Sequence, residues 1–361
     1  MKNLVICDVR NTSSIYKLLA TLQIKGFDNS DKILLIIKDS TNFSILKNYY
    51  ENFDVIKYKG RVDDNPVIVN LIKGKYKYLQ SNLNEYFDKS LNYSNIIFIT
   101  SFNKGCWYVY LVGIIKKKFK SFHLISFDDG YDNIRLVNYI YKFKLSDFVK
   151  KNFMKIFSKH RVKNISKFDF SNTNEHFTSF YKFDYSNIYS NVSYYNNQLI
   201  EIYKDTCLRD KIFQINENKK FILLLTHHAV ESNRMNLNDY QLTISKSLEA
   251  TNILNDDILL ISKHHSETNL NHIFYKKLHN NVLFIDFPAE AALYSKKIKS
   301  CISPFNTTIF QLDSMNHDFD FEVFIGYVIP KSPDLDKRIE ETIAIMKNNS
   351  INYKIINLVD N

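Results

Sequence analysis

The sequence predicts an α/β protein built from two Rossmann-like domains, and three observations carry that prediction. Short runs that are apolar throughout, such as "KILLIIK" and "FILLL", recur along the chain, the pattern of parallel strands covered on both faces. Longer amphipathic stretches separate them, as crossover helices would. The rhythm breaks once near the middle and then resumes, and 361 residues exceed what one hydrophobic core usually holds.

In the first half the elements read in order as "NLVICDV", "SIYKLLATLQIKG", "KILLIIK", "FSILKNYYENF", "DVIKYKG", "NPVIVNLIKGKYKYLQSNLNEYF", "NIIFIT", "KGCWYVYLVGIIKKK" and "FHLISF". From about Tyr131 to Asn218 the chain is rich in Tyr, Asn, Ser and Lys with no clear period, as in "FDYSNIYSNVSYYNNQ". This stretch reads as the rest of the first domain plus a connection. The alternation resumes with "KFILLLT", a helix near "LNDYQLTISKSLEATNIL", "DDILLISK", "ETNLNHIFYKKLH", "NVLFIDF", "AEAALYSKK", "SCISPF", "TTIFQLDSM", "FEVFIGYV" and the C-terminal helix "DLDKRIEETIAIMKN". The expected domains are 1–215, an N-terminal Rossmann-like domain with its connecting segment, and 216–361, a C-terminal Rossmann-like domain.

Composition narrows the function classes. Hydrophobic residues make up 45% and charged residues 24%, with 28 Phe and 24 Tyr to bury, so global disorder is excluded. The net charge of +10 suits nucleic acid, an anionic membrane surface or an anionic substrate without choosing among them. Its clusters are "IIKKKFKSF" (114–122) and "FVKKNFMKIFSKHRVKNISK" (148–167). Both read as solvated faces, and the second also fits a helix lying on an anionic membrane. Cys7, Cys106, Cys207 and Cys301 form no CxxC pair, so reduced thiols are expected rather than a zinc site or a disulfide framework. "MKNLVICDVRN" has too short an apolar run for a signal segment, and no stretch approaches about 20 apolar residues, so a soluble or peripheral protein is expected. There is no GxGxxG fingerprint and no P-loop. Two Rossmann-like domains facing each other across a cleft without those motifs describe the architecture called GT-B.

In open α/β sheets ligands bind beyond the carboxyl ends of the strands, so polar residues that follow apolar runs are the candidates. Asp128, Asp129 and Gly130 follow "FHLISF", where they suit a general base or acid, or else a solvated turn or N-cap. "THHAVES" follows "FILLL" and supplies Thr226, His227, His228 and Glu231. "KHHSET" follows "DILLIS" and supplies Lys263, His264, His265 and Glu267. Histidine at two strand ends offers proton donors near neutral pH, while adjacent histidines seldom chelate one ion and no HExxH spacing occurs. Glu290, in "DFPAEAAL", sits in the first turn of a helix opened by Pro288, where it either caps the helix or accepts from a ribose. Ser303, Thr307 and Thr308, in "SPFNTTIF", surround a helix start that suits a phosphate or simple N-capping.

Taken in order, "FDDG" after a strand, "SNTNEHFTSFYK" (171–182), "ISKHHSE" and "SPFNTTIFQL" resemble the bacterial lipooligosaccharide sialyltransferases of glycosyltransferase family 52. The resemblance runs from about residue 90 to 330. One departure is that the His-Pro motif general in bacterial sialyltransferases is here His264 followed by His265.

The resemblance implies transfer of sialic acid from CMP-sialic acid to a galactose-containing acceptor with inversion, and no metal or other cofactor. It implies His264 as acid or electrostatic partner of the CMP phosphate, with Lys263, Ser303, Thr307 and Thr308 beside it, and Glu290 on the ribose. Glu231 and Asp129, the latter with its neighbour Asp128, are rival bases. The implied setting is cytoplasmic, at the inner face of the membrane, with a nucleotide-sugar donor and a glycan acceptor as partners. No nucleic acid is expected and a homodimer stays open. The alternatives are a relative using another nucleotide sugar such as UDP-glucose, and a noncatalytic polyanion-binding protein.

Overall fold

The apolar runs fold as parallel strands, and they do so twice with the same strand order. The structure, a computed structural model, describes residues 3–9, 11–39, 41–58, 75–90, 92–101, 106–127, 174–178, 192–216, 218–231, 233, 235–264, 267, 272–303, 308, 322–327, 340, 343–344 and 353–357. The chain divides into two compact units, Met1–Leu199 and Ile200–Asn361.

The first unit runs β1 (Asn3–Val9), α1 (Thr12–Ile24), β2 (Lys32–Lys38), a 3-10 turn (Ser44–Asn48), β3 (Phe53–Tyr58), α2 (Lys75–Lys89), β4 (Asn95–Ser101), α3 (Cys106–Lys118), β5 (His123–Phe127) and β6 (Glu175–Phe177). The chain turns from β1 into α1 at Asn11, whose side chain accepts from the Ser14 N–H at 2.8 Å. It leaves α1 through Gly26 at φ +69°, a left-handed position that glycine occupies without steric cost. The sheet is six-stranded and parallel, in the order β3-β2-β1-β4-β5-β6.

The second unit takes in most of α4 (Val192–Arg209), which the unit division crosses. It continues with α5 (Lys211–Ile215), β7 (Phe221–Leu225), α6 (Leu237–Ala250), β8 (Ile258–Ser262), α7 (His272–Lys277), β9 (Val282–Ile285), α8 (Ala289–Ala292), β10 (Ile298–Ile302), β11 (Glu322–Tyr327) and β12 (Tyr353–Asn357). Its sheet runs β12-β11-β10-β7-β8-β9, the same arrangement read from the other side. In each sheet the strand order reverses once, between β1 and β4 and between β7 and β10. Those reversals are where an open sheet opens a crevice for a ligand.

Each sheet has its own core. Leu4, Ile6, Leu34, Ile36, Phe98 and Phe87 lead the first, with the Phe87 and Phe119 rings edge to face at 5.3 Å. Ile222, Leu224, Ile244, Leu259, Ile261 and Tyr240 lead the second. Fully burying a residue of this size contributes about 1.5–3 kcal/mol, so each unit carries its own hydrophobic driving force.

Three elements were not legible as such in the sequence. Helix α4 lies inside the stretch that shows no clear period, yet Tyr195, Leu199, Ile202 and Tyr203 are buried at helical spacing. Tyr and Asn, weak helix formers, mask that stripe. Strand β6 is three residues long, and β12 is a single five-residue strand near the C-terminus. The boundary placed by composition at 215/216 lies after α5.

Candidate functional site

The site is built at the carboxyl edge of the second sheet, where β8, β7 and β10 end side by side. Strand β7 is buried along its whole length and delivers Thr226, His227 and His228. The Thr226 N–H donates to the Ser262 carbonyl at 3.1 Å, so the ladder extends one residue past the strands before the two loops begin. Beyond it the β7 loop closes on itself. Met235 N–H donates to the Ala229 carbonyl at 3.3 Å, and Asn233 sits at φ 55°, a left-handed position that asparagine tolerates. Helix α6 then starts at the Asn236 cap.

Strand β8 delivers Lys263 and His264, both half-buried. Three imidazoles meet here. The His228 ring lies 4.6 Å from that of His227 at an interplanar angle of 30°, and 4.3 Å from that of His264 at 24°. His228 is therefore the middle of a stack drawn from two strand ends. A positive charge on one ring is met by the π-face of its neighbour, whereas two such charges at this spacing repel. Near-parallel faces do not aim their nitrogens at one point. Among the described residues no three His, Cys, Asp or Glu side chains converge as a metal-ligand set.

Beneath the stack a buried carboxylate joins the two loops. Glu267, 8% exposed, accepts a hydrogen bond from the Thr226 hydroxyl on one oxygen and from the Tyr275 hydroxyl on the other. Thr226 in turn accepts from the His264 N–H at 2.8 Å. Tyr240 lies 3.1 Å from the Tyr275 hydroxyl and accepts from the His227 N–H at 3.0 Å. Burial above all, with the Glu267 charge adding to it, holds the Tyr240 phenol well above its ordinary range. Burial, then Tyr240 and Glu267, does the same for Tyr275. Both phenols therefore keep their protons throughout the working pH range.

A second pair sits on the adjoining loops. Pro288 caps α8, and Glu290 in its first turn is buried and accepts from the Thr308 hydroxyl at 3.3 Å. Ser303 follows β10, the strand beside β7, and is buried, with its N–H donating to the Phe324 carbonyl at 2.9 Å.

Of the sequence candidates, the structure thus joins Glu290 to Thr308 and sets Lys263, His264 and Ser303 on strand ends of the same edge. Glu231 is half-buried on the β7 loop, near enough for its charge to act on Tyr240. Asp128, Asp129, Thr307 and His265, with the basic segment 148–167, lie outside the described residues. Lys116, Lys117 and Lys118 of the other basic cluster lie at the end of α3, Lys116 and Lys117 exposed and Lys118 half-buried, consistent with a solvated face. Among the described residues no helix is long and apolar enough to cross a membrane. Sequence reasoning missed the roles of His227, His228, Thr226, Glu267, Tyr240 and Tyr275. The first four stand in strings it had singled out, while the tyrosines resemble ordinary helix core. Their only signal is that a buried tyrosine hydroxyl needs a partner.

No family model matches the chain, and no curated protein matches it in sequence. Solved structures match its fold. The chain is similar to an α/β-galactoside α-2,3-sialyltransferase from the luminous marine bacterium Photobacterium phosphoreum, at 14% identity and TM-score 0.54 over 98% of each chain. It is similar to the GT-B domain of a sialyltransferase from Photobacterium damselae, at 12% identity and TM-score 0.52, covering 99% of this chain and 100% of that one. It is also similar to an Arabidopsis thaliana protein solved with UDP-L-rhamnose, at 10% identity and TM-score 0.52, covering 98% and 85%. What these likenesses share with the two parallel six-stranded sheets is the architecture, and the chain has an α/β fold of the GT-B glycosyltransferase type.

Proposed function

We propose that the protein is an inverting sialyltransferase that moves sialic acid from CMP-sialic acid to a terminal galactose of a cell-surface glycan, a lipooligosaccharide or a capsule. What carries this reading is the set of polar groups that follow successive strands of one sheet, taken in chain order. The histidine loop follows β8, Glu290 follows β9, and the Ser303 and Thr308 segment follows β10. The first and last of these are two of the motifs on which the resemblance to family 52 rests, and Glu290 lies between them.

In the proposed reaction a carboxylate, Glu231 or Asp129 with its neighbour Asp128, takes the proton of the acceptor hydroxyl. The acceptor oxygen bonds to the anomeric carbon of the sialic acid as the bond from that carbon to the CMP phosphate oxygen breaks, inverting the centre. The departing phosphate gains negative charge, which the His264 imidazole meets by donating a hydrogen bond or a proton, with Lys263, Ser303 and Thr307 close by. Glu290, held by Thr308, receives the ribose hydroxyls. Protein donors do the work on the leaving group, so neither a metal nor another cofactor is assigned a role. The protein works in the cytoplasm at the inner face of the membrane, with its basic segment 148–167 toward anionic lipid, and partners no nucleic acid.

The test is incubation with CMP-sialic acid and lactose, with mass spectrometry of the products. A sialylated lactose is expected. Thermal melts with CMP and with UDP accompany it, because a ligand stabilises the state that binds it. Stabilisation by UDP alone, with no sialylated product, would replace this reading with a UDP-sugar transferase.

A further inference from the structure

Two loops carry the three stacked imidazoles, and one chain of buried groups runs between the backbones of those loops. At one end the His264 N–H donates to the Thr226 hydroxyl oxygen, and at the other the His227 N–H donates to the Tyr240 hydroxyl oxygen. Thr226 donates its own proton to one oxygen of Glu267, and Tyr275 donates its proton to the other. Tyr275 has then spent its proton, so the bond between the two phenols runs from Tyr240 to Tyr275. Every hydroxyl donates once and accepts once, and every arrow ends on Glu267. The Glu267 N–H also closes a tight turn onto the His264 carbonyl at 2.9 Å. Thr226, Tyr240 and Tyr275 are fully buried, so their protons and lone pairs depend on partners inside the protein.

We infer that Glu267 is the positioning residue of the histidine stack, holding the His264 loop through Thr226 and the His227 loop through Tyr275 and Tyr240, so that both loops present their rings in one register. Its effect on turnover rests on the sialyltransferase reading above; its effect on the rings does not. A carboxylate offers acceptors only, which fixes the direction of every bond in the chain. An amide at this place offers one acceptor and one donor, so one of the two arms loses the partner its proton needs. The inference concerns geometry passed on to His264 and His228, and Glu267 touches no reacting atom.

Thr226→Val keeps the shape of the side chain and removes the relay hydroxyl; Thr226→Ser keeps the hydroxyl. Glu267→Gln reverses one arm. Tyr240→Phe cuts the far arm alone, and serves if Glu267→Gln does not fold. Each is measured in two ways on the full chain. The first is NMR of selectively isotope-labelled histidine, because a ring proton stacked against another ring is shifted upfield and returns when the stack opens. The second is kcat and KM for CMP-sialic acid.

Expected are loss of the upfield ring signals and a fall of at least about tenfold in kcat in Thr226→Val, with KM for the donor changed by less than about threefold. Thr226→Ser keeps the ring signals and most of the turnover. Ring signals unmoved in both Thr226→Val and Tyr240→Phe overturn the inference, as do displaced rings with unchanged kcat. Rings displaced as expected in a protein that turns over no CMP-sialic acid would sink the sialyltransferase reading and leave the positioning role standing.

Discussion

The two sheets have one strand order and put their polar groups in different places. Among the described residues of the first, a register row of buried polar groups lies inside the strands. Asp8 on β1 pairs with Thr100 on β4, Thr100 with Ser126 on β5, and Ser126 with His176 on β6. All four are fully buried. Thr100 donates to Asp8 at 3.3 Å, and Ser126 Oγ and His176 Nδ1 are hydrogen-bonded at 2.8 Å. In the second sheet β7 is apolar to its last residue, and Thr226, His227 and His228 come only after it. A polar group in a register row is answered by the strand beside it and serves the sheet. One just past the strand end has left the ladder, and its loop can aim it at a ligand. The same topology therefore supports a buried polar row inside the strands of one unit and a cluster of polar groups past the strand ends of the other.

His264→Ala tests that contrast with the largest effect. It is expected to lower turnover by about 10²–10⁴ while the melting temperature stays put, because the half-buried ring sits on a loop beyond β8. A comparable loss is expected from one of Glu231→Ala and Asp129→Ala, measured at saturating donor. Whichever collapses turnover is the base, and the answer says which unit supplies it. Normal turnover in His264→Ala would refute the assignment of the histidine loop to the leaving group.

The contrast also explains how much the sequence discloses. Apolar runs are legible because burial on both faces of a parallel strand leaves no room for polar residues, and so nine of the twelve described strands stand out by eye alongside β10, whose run is shorter. Strand-end positions are legible for the same reason, since a polar string after such a run must lie at the edge. What happens beyond the edge is not. Nothing in the stretch between Thr226 and Glu267, 41 positions apart, indicates that a hydroxyl meets a carboxylate there. That contact exists because β7 and β8 pair in parallel and release their loops side by side. Tyr240 and Tyr275 are harder still. Each fits the apolar stripe of its helix, and only the packing of α6 and α7 on one sheet face brings their hydroxyls together. The Asp8 row hides in the opposite way, because a single polar residue within "NLVICDV" looks like an interruption rather than part of a row across four strands.

Ser126→Ala gives a smaller and opposite result. It leaves His176 buried without this hydrogen bond, which costs about 1–3 kcal/mol and lowers the melting temperature, while kcat of the folded protein stays close to that of the unmodified one. Thermal melting and steady-state kinetics on one preparation separate the two effects. A fall in kcat as large as that of His264→Ala, at an unchanged melting temperature, would move the row from the sheet's stability to the site.

The smallest effects come from two matched caps. Asn11 caps the helix after β1, accepting from the Ser14 N–H at 2.8 Å, and Asn236 caps the helix before β8, accepting from the Asp239 N–H at 2.8 Å. Replacing either by Ala is expected to cost about 1 kcal/mol. Each sheet holds its own reporter: Cys7 on β1 and Cys301 on β10 are fully buried, and burial pushes both thiols far above their ordinary range. Cys207, less deeply placed, is raised to about 11, again mainly by burial. A thiol in this state reacts only when its surroundings open. Under conditions where opening equilibrates ahead of labelling, about 1 kcal/mol corresponds to roughly a fivefold faster reaction. Asn11→Ala should then speed alkylation of Cys7 and leave Cys301 unchanged, and Asn236→Ala the reverse, each read by mass spectrometry of the labelled peptides. Equal acceleration of both thiols in either variant would mean that the two units open as one, and that the likeness of their sheets extends to a shared stability.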